Sequence, residues 1–99
     1  MQKGGYVYIM CSMNNSTIYT GVTSTLGARV AQHKENFYSD SFTSKYNCKK
    51  LVYYQWFDTI VGAIAEEKRI NGGSRKNKEN LINSMNTGWN DLYEQVKFF

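Results

Sequence analysis

The sequence predicts an α+β domain in which a small three-stranded sheet is flanked by helices. Two strand-forming runs lie near the amino terminus on either side of a turn-rich stretch, and a third run follows in mid-chain. The segments after the second and third runs repeat apolar residues at helical spacing. The predicted order is therefore β-β-α-β-α-α with a short closing helix, in one domain over residues 1–99.

The first two strands form a predicted hairpin, Gly5–Val22. Tyr6–Met10 and Ile18–Val22 are strand formers, and Asn14–Ser16 supplies the turn between them. The hairpin brings two short tyrosine triplets side by side, YVY in the first strand and YTG in the second. Their tyrosines are expected either to face a site or to pack.

A helix is predicted over residues 25–36, after a cluster of capping residues, Thr23–Thr25. Its apolar stripe includes His33, and Arg29 lies one turn before that histidine, so the two side chains are neighbours. A histidine on such a stripe is often an ordinary core residue, and Arg29 is open to interpretation as a surface charge. Residues 36–48 are polar and mixed, which predicts a loop with a functional role.

The third strand is predicted at Leu51–Phe57, and apolar residues on both of its faces favour a central position in the sheet. A second helix over residues 59–71 is capped by Asp58 or Thr59 and ended by glycines. A third helix begins after Ser74 and runs to about residue 84, and residues 89–96 form the closing helix.

Glu67 is the misfit of the second helix, because it lies on the apolar stripe while Glu66 points away. A buried carboxylate must become protonated, pair or bind a cation. The alternative is that Glu67 reaches solvent at the edge of the stripe. Tyrosines, an Arg–His pair and a carboxylate supply what phosphodiester hydrolysis needs: a base, a cation for the charge on phosphorus, and a metal ligand.

The chain carries a net charge of +4, and part of it is concentrated in residues 68–78, where no acid occurs. This favours a polyanionic partner, although a solvated basic surface would show the same pattern. A smaller basic group is formed by Lys45, Lys49 and Lys50. The aromatic residues near it are candidates for stacking on unpaired bases or for core packing; they are Tyr38, Phe42 and Tyr46. The predicted nucleic-acid-binding residues are Lys68, Arg69, Arg75, Lys76 and Lys78.

No apolar run is long enough to span a bilayer, and the first residues do not form a signal peptide. The two cysteines lack metal-ligand spacing and are expected to be reduced. A cytoplasmic protein with no membrane partner is therefore expected.

Four sequence blocks occur in order along the chain: the two tyrosine triplets, the run LGARVAQH containing Arg29 and His33, and the segment AIAEEKRING containing Glu67. Together these blocks resemble the GIY-YIG nuclease superfamily. The chain looks closest to the small single-domain bacterial members, which are similar to the N-terminal catalytic domain of the excinuclease subunit UvrC. Residues 84–93 also resemble the tail of that small group.

The resemblance implies a three-stranded antiparallel sheet, one divalent metal ion, Mg²⁺ or Mn²⁺, and cleavage of DNA, with a role in repair or recombination. It implies that Glu67 binds the metal and that Arg29 holds the scissile phosphate. Tyr19 is the favoured general base, Tyr8 orients water or phosphate, and His33 positions the nucleophile or shares the base role. The predicted catalytic residues are thus Tyr8, Tyr19, Arg29, His33 and Glu67, converging on one face of the sheet.

The chain departs from the family at several positions. Tyr6 replaces the first glycine of the GIY triplet, Thr20 replaces the middle residue of YIG, and Val22 replaces a lysine of excinuclease-type members. Asn71 stands where a basic residue is usual. A non-catalytic nucleic-acid-binding module and a protein-interaction domain are the rival interpretations.

Overall fold

The computed structural model describes residues 4–35 and 45–99, and it confirms an α+β fold built on a three-stranded antiparallel sheet. In chain order the elements are β1 (Gly5–Ser12), β2 (Ile18–Thr23), α1 (Leu26–Lys34), β3 (Cys48–Phe57), α2 (Ile60–Asn71), α3 (Arg75–Met85) and α4 (Tyr93–Val96). None of the helices in these described ranges is both long and apolar enough to cross a membrane.

The strand order is β2-β1-β3, so β1 is the central strand. The prediction that the third strand is central was wrong. Leu51 packs in the core on one side of β3 and Val52 packs in the core on the other. Apolar residues on both faces of β3 therefore reflect helices on both sides of the sheet, and they do not reflect a second neighbouring strand.

The two faces of the sheet carry different helices. The Tyr8 face, to which Tyr6, Tyr8 and Met10 point, is covered by α1 and α4 through Val30 and Val96. The Val7 face, which carries alternate residues of β1 beginning with Val7, is covered by α2 and α3 through residues that include Ala63, Ile70 and Ile82. The alternation of side chains along β1 thus assigns each helix to one side of the sheet.

Side-chain caps fix the starts of the second and third helices as predicted. Thr59 Oγ1 accepts from Gly62 N at 3.0 Å, and Ser74 Oγ accepts from Asn77 N at 3.1 Å. The first helix differs, because Thr25 occupies the N-cap position without a capping hydrogen bond from its side chain. Thr23 Oγ1 instead accepts from Thr25 N at 3.1 Å, which holds the turn between β2 and α1.

The predicted loop lies mostly outside the described residues, as do Tyr38 and Phe42. Of the aromatic residues proposed there for base stacking, Tyr46 is described and is 44% exposed. Cys11 and Cys48 are both buried and free. Burial raises the pKa of the Cys48 thiol to about 11, so this side chain is an uncharged part of the core.

Candidate active site

The two triplet motifs meet where Tyr8 of β1 pairs with Gly21 of β2. Tyr8 is fully buried, and its ring lies directly over the Gly21 backbone. A Cβ atom at position 21 would come within 2.6 Å of the phenol oxygen and 2.7 Å of the ring carbon that carries it. Gly21 is therefore required by the close approach of the Tyr8 ring.

Tyr8, Tyr19 and His33 form a compact cluster on the Tyr8 face. The Tyr8 hydroxyl lies 2.9 Å from His33 Nε2. The Tyr8 and Tyr19 ring centroids are 6.3 Å apart, and each tyrosine ring lies 5.7 Å from the imidazole. Tyr19 and Tyr8 share a face because Tyr19 pairs with Met10, two residues along β1.

Arg29 lies on α1, and its positive charge acts on Tyr8 and His33. Burial, and then the proximity of Tyr19, raise the pKa of Tyr8 far above its ordinary value, although the charge of Arg29 and a hydrogen bond from its side chain oppose the shift. Burial and the charge of Arg29 lower the pKa of His33 to about 4. At neutral pH the cluster therefore contains a protonated phenol beside a neutral imidazole.

These charge states separate the chemical roles that each group can take. The buried Tyr8 hydroxyl keeps its proton and can hold the imidazole through their hydrogen bond. His33 is 8% exposed and is neutral, which is the form that accepts a proton. Tyr19 is half-buried, so its phenol is the more accessible of the two tyrosines in the cluster.

Glu67 has different described contacts from these four residues. It lies on α2, and α2 packs through Ala63 and Ile70 against the Val7 face. The side chain of Glu67 is half-buried and accepts a hydrogen bond from the Asn71 amide. The described contacts therefore join Tyr8, Tyr19, Arg29 and His33 on one face, whereas the described side-chain hydrogen bond of Glu67 is with its own helix.

The exposed side of α2 also differs from the predicted one. Ile64 is 40% exposed, although it lies one helical turn after Ile60 and one before Glu67, within the apolar stripe. Glu66 does not point away into solvent, because its side chain is 17% exposed and pairs with Arg69. That pair lowers the pKa of Glu66. Glu66 thus forms an ion pair with Arg69 of its own helix. No such ion pair is described for Glu67.

The donor chemistry of Glu67 fits a hydrated divalent cation. Mg²⁺ keeps several water ligands and is commonly held by one or two carboxylates together with substrate phosphate. A half-buried carboxylate held by an amide N–H meets that need. Within residues 4–35 and 45–99 there is no group of three or more histidine, cysteine or acidic side chains that could form a protein cage for a metal.

The predicted nucleic-acid-binding residues divide into two groups. Arg69 bonds to Glu66, and Arg75 bonds to Glu79 as well as to the carbonyl oxygens of the β1–β2 turn at 2.6 Å. These arginines are therefore already engaged within the protein. The remaining members, whose side chains are exposed or half-buried on α2 and α3, are Lys68, Lys76 and Lys78.

Two features of the candidate site residues and their neighbours were not predicted from the sequence. Thr20, between Tyr19 and Gly21, is 7% exposed, and its hydroxyl has no hydrogen-bond partner among the described residues. Asn71 bonds to Glu67 from the position where the resembling family usually has a basic residue. The sequence shows that Thr20 and Asn71 differ from the residues usual in the resembling family. It does not show which contacts they make, because these depend on the packing of the folded chain.

Comparisons with known proteins show the family and several relatives of the chain. A model of the GIY-YIG catalytic domain family matches residues 4–80. The chain is similar to a UPF0213 protein of Syntrophus aciditrophicus, with 35% identity over 78% of this chain and 87% of that protein. UPF0213 proteins of Natronomonas pharaonis and Haloquadratum walsbyi are 34% and 32% identical over 83% and 77% of this chain, and 94% and 83% of their own lengths. No solved structure matches the chain.

Proposed function

This chain belongs to the GIY-YIG catalytic domain family, and we propose on that basis that it is an endonuclease that hydrolyses DNA phosphodiester bonds with one divalent metal ion, Mg²⁺ or Mn²⁺. The observation that carries the proposal is the cluster of Tyr8, Tyr19 and His33 with the charge of Arg29 beside it. A phenol, an imidazole and a guanidinium on one surface supply proton transfer and phosphate binding.

Arg29 is the proposed phosphate-binding residue. A guanidinium presents donors that match phosphate oxygens, and its charge stabilises the negative charge that develops during hydrolysis. Its position beside Tyr8 and His33 is supported by its effects on their pKa values. A scissile phosphate bound at Arg29 would lie next to the groups that move protons.

Tyr19 is the proposed general base, since its ring is half-buried while Tyr8 is enclosed. Tyr8 keeps its proton and fixes the imidazole of His33. His33 is neutral at pH 7 and can position the attacking water, whereas its lowered pKa makes it a weak proton acceptor if it shares the base role. Replacing Tyr19 with Phe and His33 with Gln, each with a pH–rate profile, would separate the two candidate bases.

Glu67 is the proposed ligand of the metal ion. When bound, a divalent ion polarises a phosphate oxygen and lowers the pKa of a coordinated water. The carboxylate would contribute one ligand, and Asn71 would hold its orientation. We further propose that the enzyme acts in repair or recombination in the cytoplasm, a reducing compartment that suits two free buried cysteines.

The direct test is incubation of the purified chain with supercoiled, single-stranded and branched DNA, with and without Mn²⁺. Cleavage is expected only with the metal, and Glu67→Ala and Arg29→Ala should each abolish it while keeping the wild-type unfolding temperature. Glu66→Ala is the matched control on the same helix and should retain cleavage, because Glu66 bonds to Arg69. Metal-dependent cleavage that survives Glu67→Ala would contradict the mechanism.

The rival interpretation is a nucleic-acid-binding module without catalysis. It predicts that the wild-type chain binds DNA with a strong dependence on salt but never cleaves it in the presence of Mg²⁺ or Mn²⁺. The same incubation series therefore decides between the two functions.

A further inference from the structure

A cluster of aromatic side chains lies beside the proposed active site, at the β3 edge of the Tyr8 face. We call it the aromatic surface and define it as Tyr6, Tyr54, Trp56 and Phe99. Tyr6 pairs directly with Trp56 across the β1–β3 ladder, and their ring centroids are 4.9 Å apart. Phe99 lies 6.1 Å from both Tyr6 and Tyr54.

Two members of this cluster remain open to solvent, and one of them, Trp56, is held in place by its neighbours. Trp56 is 49% exposed and Phe99 is 51% exposed. The Trp56 ring lies against the Gly4 backbone, where a Cβ atom would be 2.2 Å from the ring, and its Nε1 donates to Asp58 at 3.2 Å. An exposed ring that is held rigidly loses little conformational entropy when a flat partner stacks on it.

The aromatic surface continues directly from the proposed reaction site. Tyr6 and Tyr8 are alternate residues of β1, and Tyr54 pairs with Tyr8 on the neighbouring strand. Residues two apart on a strand are separated by about 7 Å, so the Tyr6–Trp56 pair lies about that far along the strands from the Tyr8–Tyr54 pair. The aromatic surface is therefore close enough to the Tyr8 cluster for one nucleic-acid strand to contact both.

We propose that the aromatic surface stacks one or two unpaired bases that flank the scissile phosphate, so that the preferred substrate is single-stranded DNA or a locally unpaired strand. The net charge of +4 favours a polyanionic partner over an apolar peptide. Bases inside a duplex do not offer their faces to such a ring, whereas unpaired bases do. This inference deepens the proposed function and rests on it.

The proposal is tested by binding in EDTA, without cleavage, of a 20-nucleotide oligothymidylate and of a blunt duplex of the same length. Trp89→Phe leaves Trp56 as the sole tryptophan, and oligothymidylate should quench its fluorescence. Trp56→Ala should weaken binding of the single strand by about 5- to 150-fold, and Trp56→Phe should weaken it less, consistent with about 1–3 kcal/mol per stacked base. Duplex binding should change less than twofold.

Met85→Ala is the matched control, because Met85 is a large apolar residue of similar exposure, 46%, at the end of α3, which covers the opposite face of the sheet. It should leave single-strand affinity unchanged. The proposal is overturned if Trp56→Ala binds oligothymidylate like the wild type, if duplex binding falls equally, or if sedimentation shows a wild-type dimer that Trp56→Ala dissociates.

Failure of this proposal is distinguishable from failure of the proposed function. If oligothymidylate does not quench Trp56 while plasmid cleavage is intact, only the stacking role of the aromatic surface is ruled out. Fluorescence quenching without any metal-dependent cleavage would keep the aromatic surface as a binding site and would contradict the endonuclease.

Discussion

The Tyr8 hydroxyl lies 2.9 Å from His33 Nε2 and joins the central strand to the first helix across 25 residues of sequence. This contact brings together one residue from the GIY-type triplet and one from the helix that follows the hairpin. Its environment raises the pKa of the phenol and lowers the pKa of the imidazole to about 4, mainly by burial in both cases. The pair is therefore uncharged at neutral pH.

The lowered pKa of His33 predicts that the protein loses stability on mild acidification. The unfolded chain binds a proton at His33 near pH 6.5, whereas the folded chain binds it only near pH 4. Between those values the unfolded state holds more protons, so the free energy of unfolding falls as the pH falls. From pH 8 to pH 5 this group should remove about 2 kcal/mol, or roughly 10 °C in unfolding temperature.

His33→Gln isolates that effect, because His33 is the one histidine in the sequence. Thermal unfolding followed by circular dichroism between pH 5 and pH 8 should show a much shallower dependence in the variant. Equal slopes for the two proteins would mean that the imidazole is not held neutral by its surroundings.

Gly21→Ala should disturb the site through Tyr8. The added Cβ atom would lie within 2.6 Å of the phenol oxygen, so the ring must move, and overpacking of this kind costs about 1–3 kcal/mol. As the enclosure of His33 loosens, its pKa, measured by NMR titration, should rise toward 6.5. Gly72→Ala is the control, since its nearest contact would be 3.4 Å away, and it should change neither quantity.

Thr20→Val should stabilise the protein. The buried hydroxyl has no hydrogen-bond partner among the described residues, and valine has almost the same shape without that polar atom. A gain of about 1 kcal/mol is expected, which corresponds to roughly 4–8 °C in unfolding temperature. Thr23→Val on the same strand should destabilise the protein, because Thr23 Oγ1 accepts from Thr25 N. A loss of stability in Thr20→Val would refute this account of the hydroxyl.

Asn71→Ala should weaken metal binding without removing a metal ligand. Its amide holds the Glu67 carboxylate, and loss of such a supporting hydrogen bond commonly costs about 10- to 100-fold in affinity. Calorimetric titration with Mn²⁺ measures the effect independently of cleavage. Asn80→Ala, which removes an exposed amide from α3, is the control and should bind Mn²⁺ like the wild type. Unchanged affinity in Asn71→Ala would exclude the positioning role.

Most of the Tyr8-face cluster could be predicted from local periodicity. Strand alternation places Tyr19 beside Tyr8 once the hairpin forms, and helical spacing makes Arg29 and His33 neighbours. The prediction that a helix stripe carries Glu67 was equally local. Which face of the sheet that helix covers depends on packing between distant segments, so the convergence of Glu67 with Tyr8 cannot be derived from local periodicity.

The position of β3 and the aromatic surface depend on long-range pairing. Apolar residues on both sides of β3 indicate burial on both sides but do not indicate which strand lies next to it. In the sequence, Trp56 is one of several aromatic residues in a predicted strand. Its half-exposed ring follows from its pairing with Tyr6 at the edge of the sheet. Such facts enter only when segments about 50 residues apart meet.

The core of the Tyr8 face extends past the region recognised by the family, which is residues 4–80. Leu92 and Val96 complete the packing around Tyr8, and Leu92 N donates to Leu51 O at 2.8 Å. A fragment that ends at residue 80 would divide α3 and would lack the residues that cover the Tyr8 core from α4. For protein engineering, the unit that can be transplanted is therefore set by this packing and is longer than the unit that sequence profiles detect.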